Sequence, residues 1–185
     1  MDEGLQLNEF QRKLREKVLK ENDEIRRQTE IENAPEEEED TQRDRYMTFK
    51  CGEDYFGIGI GYVDEIIGIQ QIAQVPDTPD YVMGLINLRG KIIPIMDVRI
   101  RFKKPPIPYD DRTCVIVVTI GETMIGLIVD TIAEVVTITE EDILAPPTTG
   151  NNASNRFVYG LGRVGGDVKL LVDPEKLIGP DEPEI

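Results

Sequence analysis

Val75–Phe102, VPDTPDYVMGLINLRGKIIPIMDVRIRF, is the stretch whose reading decides the fold. Pro76 and Pro79 each fix φ and push the residue before them away from helix, so the stretch opens on a bend. One apolar segment follows, with Val82, Leu85, Ile86 and Leu88, and then a second, with Ile92, Ile93, Pro94, Ile95 and Met96, closed by Asp97. Arg89 and Gly90 stand between them. A lone guanidinium beside a glycine, flanked by apolar runs, requires either a carbonyl or acidic partner such as Glu65 at the seam between subdomains, or a binding role; both can hold.

Outward from this stretch the chain repeats itself. An offset of 69 residues lays Gly52 on Gly121, Gly57 on Gly126, Ile58 on Leu127, Val63 on Ile132, Glu65 on Glu134 and Ile66 on Val135. An offset of 76 lays Val82 on Val158, Gly84 on Gly160, Gly90 on Gly166, Ile95 on Leu171 and Asp97 on Asp173. The change of offset is a seven-residue insertion in the proline- and glycine-rich segment around Ala145 to Arg156, a loop by composition. Two copies of a unit of about 55 residues, rich in short strand-like runs, predict two small antiparallel β-subdomains related by a pseudo-two-fold, from repeats at about 46–102 and 113–174. Each is too small for a self-sufficient core, so the two are expected to share one. Gly57, Gly59 and Gly61 mark close packing or a bulge. Thr139 to Asp142 reads as a capped turn, and Asp173 before Pro174 as a helix N-cap with proline at the first helical position.

The first 45 residues have another texture. Leu7, Phe10, Leu14 and Val18 recur at spacings of three and four, with Leu19 and Ile25 beyond, which predicts an amphipathic helix or two shorter ones. The acid run Glu36 to Asp40 follows as a self-repelling linker. The segment reads as a docking helix, as one half of a coiled-coil pair or as a solvated tail, and 180–185 as a short tail.

Formal net charge is −15, so phosphate backbones and anionic membrane surfaces are repelled and a partner with a basic patch is favoured. With neither a C-x-x-C spacing nor a signal-peptide pattern, Cys51 and Cys114 are expected to be free thiols in a reducing cytoplasm. Histidine is absent, which removes the commonest general base and metal ligand. Asp64 and Glu65 point to opposite faces of a strand, and Asp97 and Asp173 sit in different copies, so neither pair forms an acid–base couple. Gly160 to Gly165 matches the dinucleotide string G-x-G-x-x-G, but Gly166 to Val172 continues as a turn and strand where the motif needs a helix N-terminus. Catalysis, cofactors and a metal are not expected.

The segment Val75–Arg99 closely resembles the signature of the CheW family of bacterial chemotaxis adaptors: VP-x-x-P-x-x-V-x-G-L-I-N-L-R-G followed by P-[VI]-x-D-[LV]-R. The resemblance spans about 46–179 and leaves the first 45 residues uncovered. It implies a mainly β fold of two SH3-like, five-stranded barrels packed around a common core. It implies a non-enzymatic adaptor, cytoplasmic and associated with receptor arrays, that links the cytoplasmic tips of chemoreceptors to the regulatory domain of a CheA-type histidine kinase. Residue by residue, Val63, Glu65 and Ile66 match the family's V-x-E-[IV] strand at the receptor-binding groove. Gly84, Asn87, Leu88, Arg89 and Gly90 match the hairpin that carries the family's coupling arginine. Kinase contacts fall, as a guess, on Met83, Ile86 and Ile100. Two alternatives remain: an adaptor of a non-chemotactic receptor–kinase pathway, and a small-ligand or nucleotide-binding β-domain using the Gly160 to Gly166 loop.

Overall fold

The computed structural model describes residues 17–20, 43–146 and 156–180. The acidic linker, most of the N-terminal segment, most of the insertion and the last five residues lie outside that description. Eleven strands are described: β1 Arg45–Cys51, β2 Asp54–Gly59, β3 Val63–Gly68, β4 Val82–Leu88, β5 Lys91–Asp97, β6 Cys114–Ile120, β7 Thr123–Val129, β8 Thr131–Thr137, β9 Ile143–Leu144, β10 Val158–Val164 and β11 Asp167–Val172. Two short helices, α1 Val98–Arg101 and α2 Pro174–Ile178, follow β5 and β11. The two offsets in the sequence carry each of β1 to β5 onto its counterpart in the second copy, so the fold is mainly β and pseudo-two-fold.

The sheets do not follow the repeats. One has the order β8-β1-β2-β11-β10-β9 and the other β3-β6-β7-β5-β4, so each copy lends its first hairpin to the other copy's sheet. The exchange also departs from the all-antiparallel expectation, because it sets one parallel pair in each sheet: β2 beside β11, and β5 beside β7. These pairs explain two of the glycines. Gly126 lies opposite Ile95, and a Cβ there would stand 2.5 Å from the Ile95 Cδ1. Its equivalent Gly57 lies opposite Leu171 in the same register, with the leucine Cδ2 3.1 Å away.

Alternation along the strands builds three cores. On β6, Cys114, Ile116, Val118 and Ile120 face the core shared by the two sheets, while Val115 and Val117 face the interior of the first barrel. A strand apolar on both faces is what the run CVIVVTI requires. Met47 and Phe49 of β1, Phe56 and Ile58 of β2 and Leu127 of β7 fill the shared core from the other strands. A chain of rings crosses it, Phe49–Phe56–Phe102–Phe157, with centroid separations of 5.8, 4.7 and 5.6 Å.

Asp97 and Asp173 are the matched N-caps of the two helices: Asp97 accepts from the Arg99 and Ile100 amides, and Asp173 from those of Glu175 and Lys176. Pro174 occupies the first turn of α2 as the sequence predicts. At Glu140–Asp142 the predicted turn forms, but without a side-chain cap; the Asp142 amide bonds the Thr139 carbonyl instead. Arg101 locks the copies together. It is buried between the rings of Tyr81 and Phe157 and donates to the carbonyls of Leu177 at 2.9 Å and Gly179 at 2.7 Å, closing the C-terminal end of α2.

Candidate functional site

The β4–β5 hairpin turns through Arg89 and Gly90, whose φ angles of 50° and 86° are both left-handed. Such a two-residue turn matches the twist of its flanking strands and favours asparagine or glycine at both positions. Asn87 accepts a 2.9 Å bond from the Gly90 amide and pins the turn. In the second copy the same corner is Gly165 and Gly166, with Gly165 at φ 60°. Arginine therefore stands where its counterpart is glycine, at a strain cost of about 1 kcal/mol.

Arg89 reaches across to Glu65 of β3 and forms an ion pair. In its sheet β3 and β4 are the two outer strands, so this pair joins the sheet's edges as it curls shut. It closes the first barrel, and does not lie at the seam between subdomains as the sequence suggested. Farther along the same edge Ala73 pairs with Leu85, its amide and carbonyl both bonded at 2.9 Å. Gly84 permits this approach, because a Cβ at that residue would lie 2.1 Å from the Ala73 carbonyl oxygen.

At the closure lies a cleft of about 230 Å³ lined by Asp64, Glu65, Leu88, Arg89, Lys91, Val117 and Met124. The Arg89 side chain is 54% exposed and the Glu65 side chain 13%. Glu65 gives Oε2 to the arginine, whereas its Oε1 is buried and has no hydrogen-bond partner among the described residues. Asp64, on the outer face, accepts from the Thr119 hydroxyl. A half-exposed ion pair contributes about 0–1 kcal/mol. That roughly cancels the strain of the turn, so stability does not account for the arginine.

The structure brings some of the predicted residues to the cleft and withholds others. Glu65, Arg89 and the edge of Leu88 line it, and Asn87 and Gly90 shape the turn beside it. Val63 and Ile66 are 6% and 0% exposed in the shared core and offer no contact area. Their three-residue spacing faces inward twice because the β3–β6 register slips between Val63 and Glu65. Gly84 is buried under Ala73. Among Met83, Ile86 and Ile100, Ile86 points into the first barrel, while Met83 and Ile100 are half-buried. The glycine string is strand β10 and a hairpin turn, and Gly160 and Gly162 pack against Ile143 and Ile138.

Sequence reasoning missed a larger groove of about 640 Å³ on the second barrel, lined among others by Arg43, Tyr46, Tyr62, Tyr159 and Asp173. It also missed the most exposed large apolar side chain of the β4–β5 hairpin, Ile92 at 60%, whose counterpart Val168 is 49% exposed. Cys51 and Cys114 are buried and not joined in a disulfide, and burial pushes Cys51 up to about 12, which holds that thiol protonated at neutral pH. Among the described residues no three His, Cys, Asp or Glu side chains form a metal-binding group. No described helix is long and apolar enough to cross a membrane.

Residues 45–182 match the family model for the CheW-like domain. The chain belongs to the CheW-like domain family. It is 36% identical to the chemotaxis protein CheW of Klebsiella aerogenes over 143 residues, 77% of this chain and 86% of that one. The CheW of Treponema pallidum is 31% identical over 140 residues, 74% and 82% of the two chains. Among solved structures, the scaffolding protein TtCheW from Thermoanaerobacter tengcongensis superposes with a TM-score of 0.69 at 30% identity, covering 77% of this chain and 97% of that one. The likeness takes in both barrels and begins where β1 begins, at Arg45.

Proposed function

We propose that this CheW-like protein is a non-enzymatic adaptor that couples chemoreceptors to a CheA-type histidine kinase, working in the cytoplasm at the receptor tips. The helical tip of a receptor docks at the mouth of the first barrel, over the cleft between β3 and the β4–β5 hairpin. Glu65 and Arg89 orient it. Val63 and Ile66 act from beneath, fixing the strand from which Glu65 projects. The kinase's regulatory domain contacts the half-buried Met83 and Ile100.

The observation that carries this reading is Arg89 itself. It occupies a strained turn position that the second copy gives to glycine, it returns no net stability, and its ion pair leaves Glu65 Oε1 buried with no hydrogen-bond partner among the described residues. A partner's amide, hydroxyl or ammonium group arriving at the cleft would fill that acceptor, and the exposed face of the guanidinium would take a carbonyl or carboxylate. Such interfaces are individually weak and are multiplied by array geometry.

The test is co-sedimentation with receptor-containing membranes, with and without the kinase, for wild type, Arg89→Ala and Glu65→Ala at matched thermal stability. The expected result is recruitment of the wild type and at least tenfold weaker recruitment of both variants. Absence of wild-type recruitment by any cognate receptor or kinase would sink the adaptor reading, while recruitment unchanged in both variants would move the contact away from this cleft.

A further inference from the structure

Well ahead of the family domain the structure describes one helical turn, residues 17–20, and it is not free of the domain. Val18 is 4% exposed and belongs to the same packed cluster as Met47, Phe56, Ile60 and Val118, while Lys17, Leu19 and Lys20 are exposed, Leu19 to 40%. One buried residue among three exposed neighbours is the footprint of a helix lying on a surface with a single stripe inward. Leu14, Phe10 and Leu7 precede Val18 at intervals of four, four and three, so the stripe continues toward the N-terminus in the sequence. The family match begins at residue 45, so this contact is an addition to the CheW-like domain rather than part of it.

We propose that the N-terminal segment is an intramolecular ligand of its own domain, seated in cis through Val18 on the core that the two sheets share, and that the seat is a docking surface for an amphipathic helix. The segment and its seat belong to one chain, joined through residues 21–42. While tethered, it faces its seat at a roughly millimolar effective concentration, which is enough to keep a weak helix bound and to exclude a competitor of the same kind. The inference does not depend on the adaptor reading.

The test uses the full chain with Val18→Asp, a full-chain Leu19→Asp control, and a fluorescent peptide of residues 5–25 as probe. The expected result is that the peptide binds the Val18→Asp chain at least tenfold more tightly than the wild type or the Leu19→Asp chain, and that a peptide carrying Val18→Asp does not bind. Should Val18→Asp lose its fold by circular dichroism, the variants Val18→Cys and Leu19→Cys keep the question open to decision: the thiol introduced at position 18 is expected to react with a maleimide at least tenfold more slowly than the thiol introduced at position 19. Peptide binding that is equal for all chains, or equal labelling rates, would overturn the docked segment. A concentration-dependent dimer that Val18→Asp dissolves would overturn its placement in cis.

Discussion

The two barrels share a frame and differ in what fills it. The first is packed with Ile67, Ile86, Leu88, Ile93, Ile95, Val115, Val117 and Ile128. At the equivalent places the second has Val136, Gly162, Val164, Lys169, Leu171, Tyr46, Thr48 and Gly59, and among the described residues Tyr46, Val136, Ile138 and Leu171 form its buried apolar cluster, with Ile143 and Val164 packed against it. Each substitution has its own repair. Ile138 moves into the space above Gly162, where a Cβ would lie 2.6 Å from its Cδ1. Thr48 bonds the Glu134 carbonyl at 2.6 Å and accepts from the Glu134 amide at 3.0 Å, bridging the register slip between β1 and β8. The ammonium of Lys169 lies 4.2 Å from the centroid of the Tyr55 ring, at the edge of the barrel, and its stem is buried. What the pseudo-symmetry preserves is the strand frame, the parallel joint and the helix caps; the interiors and the hairpin corners are free to diverge, and the divergence places the ion pair on the first barrel alone.

Exchanging equivalent residues gives the largest expected effect. Ile93→Lys should cost at least about 3 kcal/mol, because Met124 stands where the second barrel has Tyr55, and offers no ring to a buried ammonium. Lys169→Ile should change stability by less than about 1 kcal/mol, losing a cation–π contact and gaining apolar burial. Urea unfolding measures both, and equal costs would mean the interiors are not as different as they look.

The parallel joints make a finer comparison. Gly126→Ala should cost about 2–3 kcal/mol, since its Cβ would be wedged between Ile95 and the Val115 Cγ1 at 2.7 Å. Gly57→Ala should cost about 1 kcal/mol or less, since a shift of a few tenths of an ångström at Leu171 relieves its one close contact. A reversed order in the same unfolding experiment would contradict the joint geometry.

The smallest effect concerns the shared core. Cys51 deprotonates near 9.0 in the unfolded chain and near 12 in the folded one. Its folded value is raised, so the stabilising contribution is fully present below about pH 9 and is lost as pH rises toward 12, at about 1.4 kcal/mol per unit. Stability measured between about pH 9 and about pH 10.5 should fall less steeply for Cys51→Ala than for wild type. Identical slopes would show that the thiol is not held dry.

Much of this was legible in the sequence. The offsets of 69 and 76 laid each of β1 to β5 on its counterpart, Pro174 announced α2, and the failure of the glycine string as a nucleotide loop followed from the strand after it. The hairpin exchange was not legible, because internal similarity says which segments are alike and not which copy they pair with. Ile66 escaped because a bulge breaks the two-residue period that would have turned it away from Val63. Arg101 gave no signal at all: in sequence it is one of two arginines at a strand's end, and only the fold sets it against the carbonyls of residues 76 and 78 positions later.

We propose that Arg89 serves recognition and not the fold. Arg89→Gly tests it most directly, since it gives the first barrel the corner of the second. Stability is expected within about 2 kcal/mol of wild type, the relieved turn offsetting the lost ion pair and part of the cost of leaving Glu65 without its partner, together with at least a tenfold loss of recruitment to receptor-containing membranes. Recruitment at the wild-type level by a stably folded Arg89→Gly protein would contradict it.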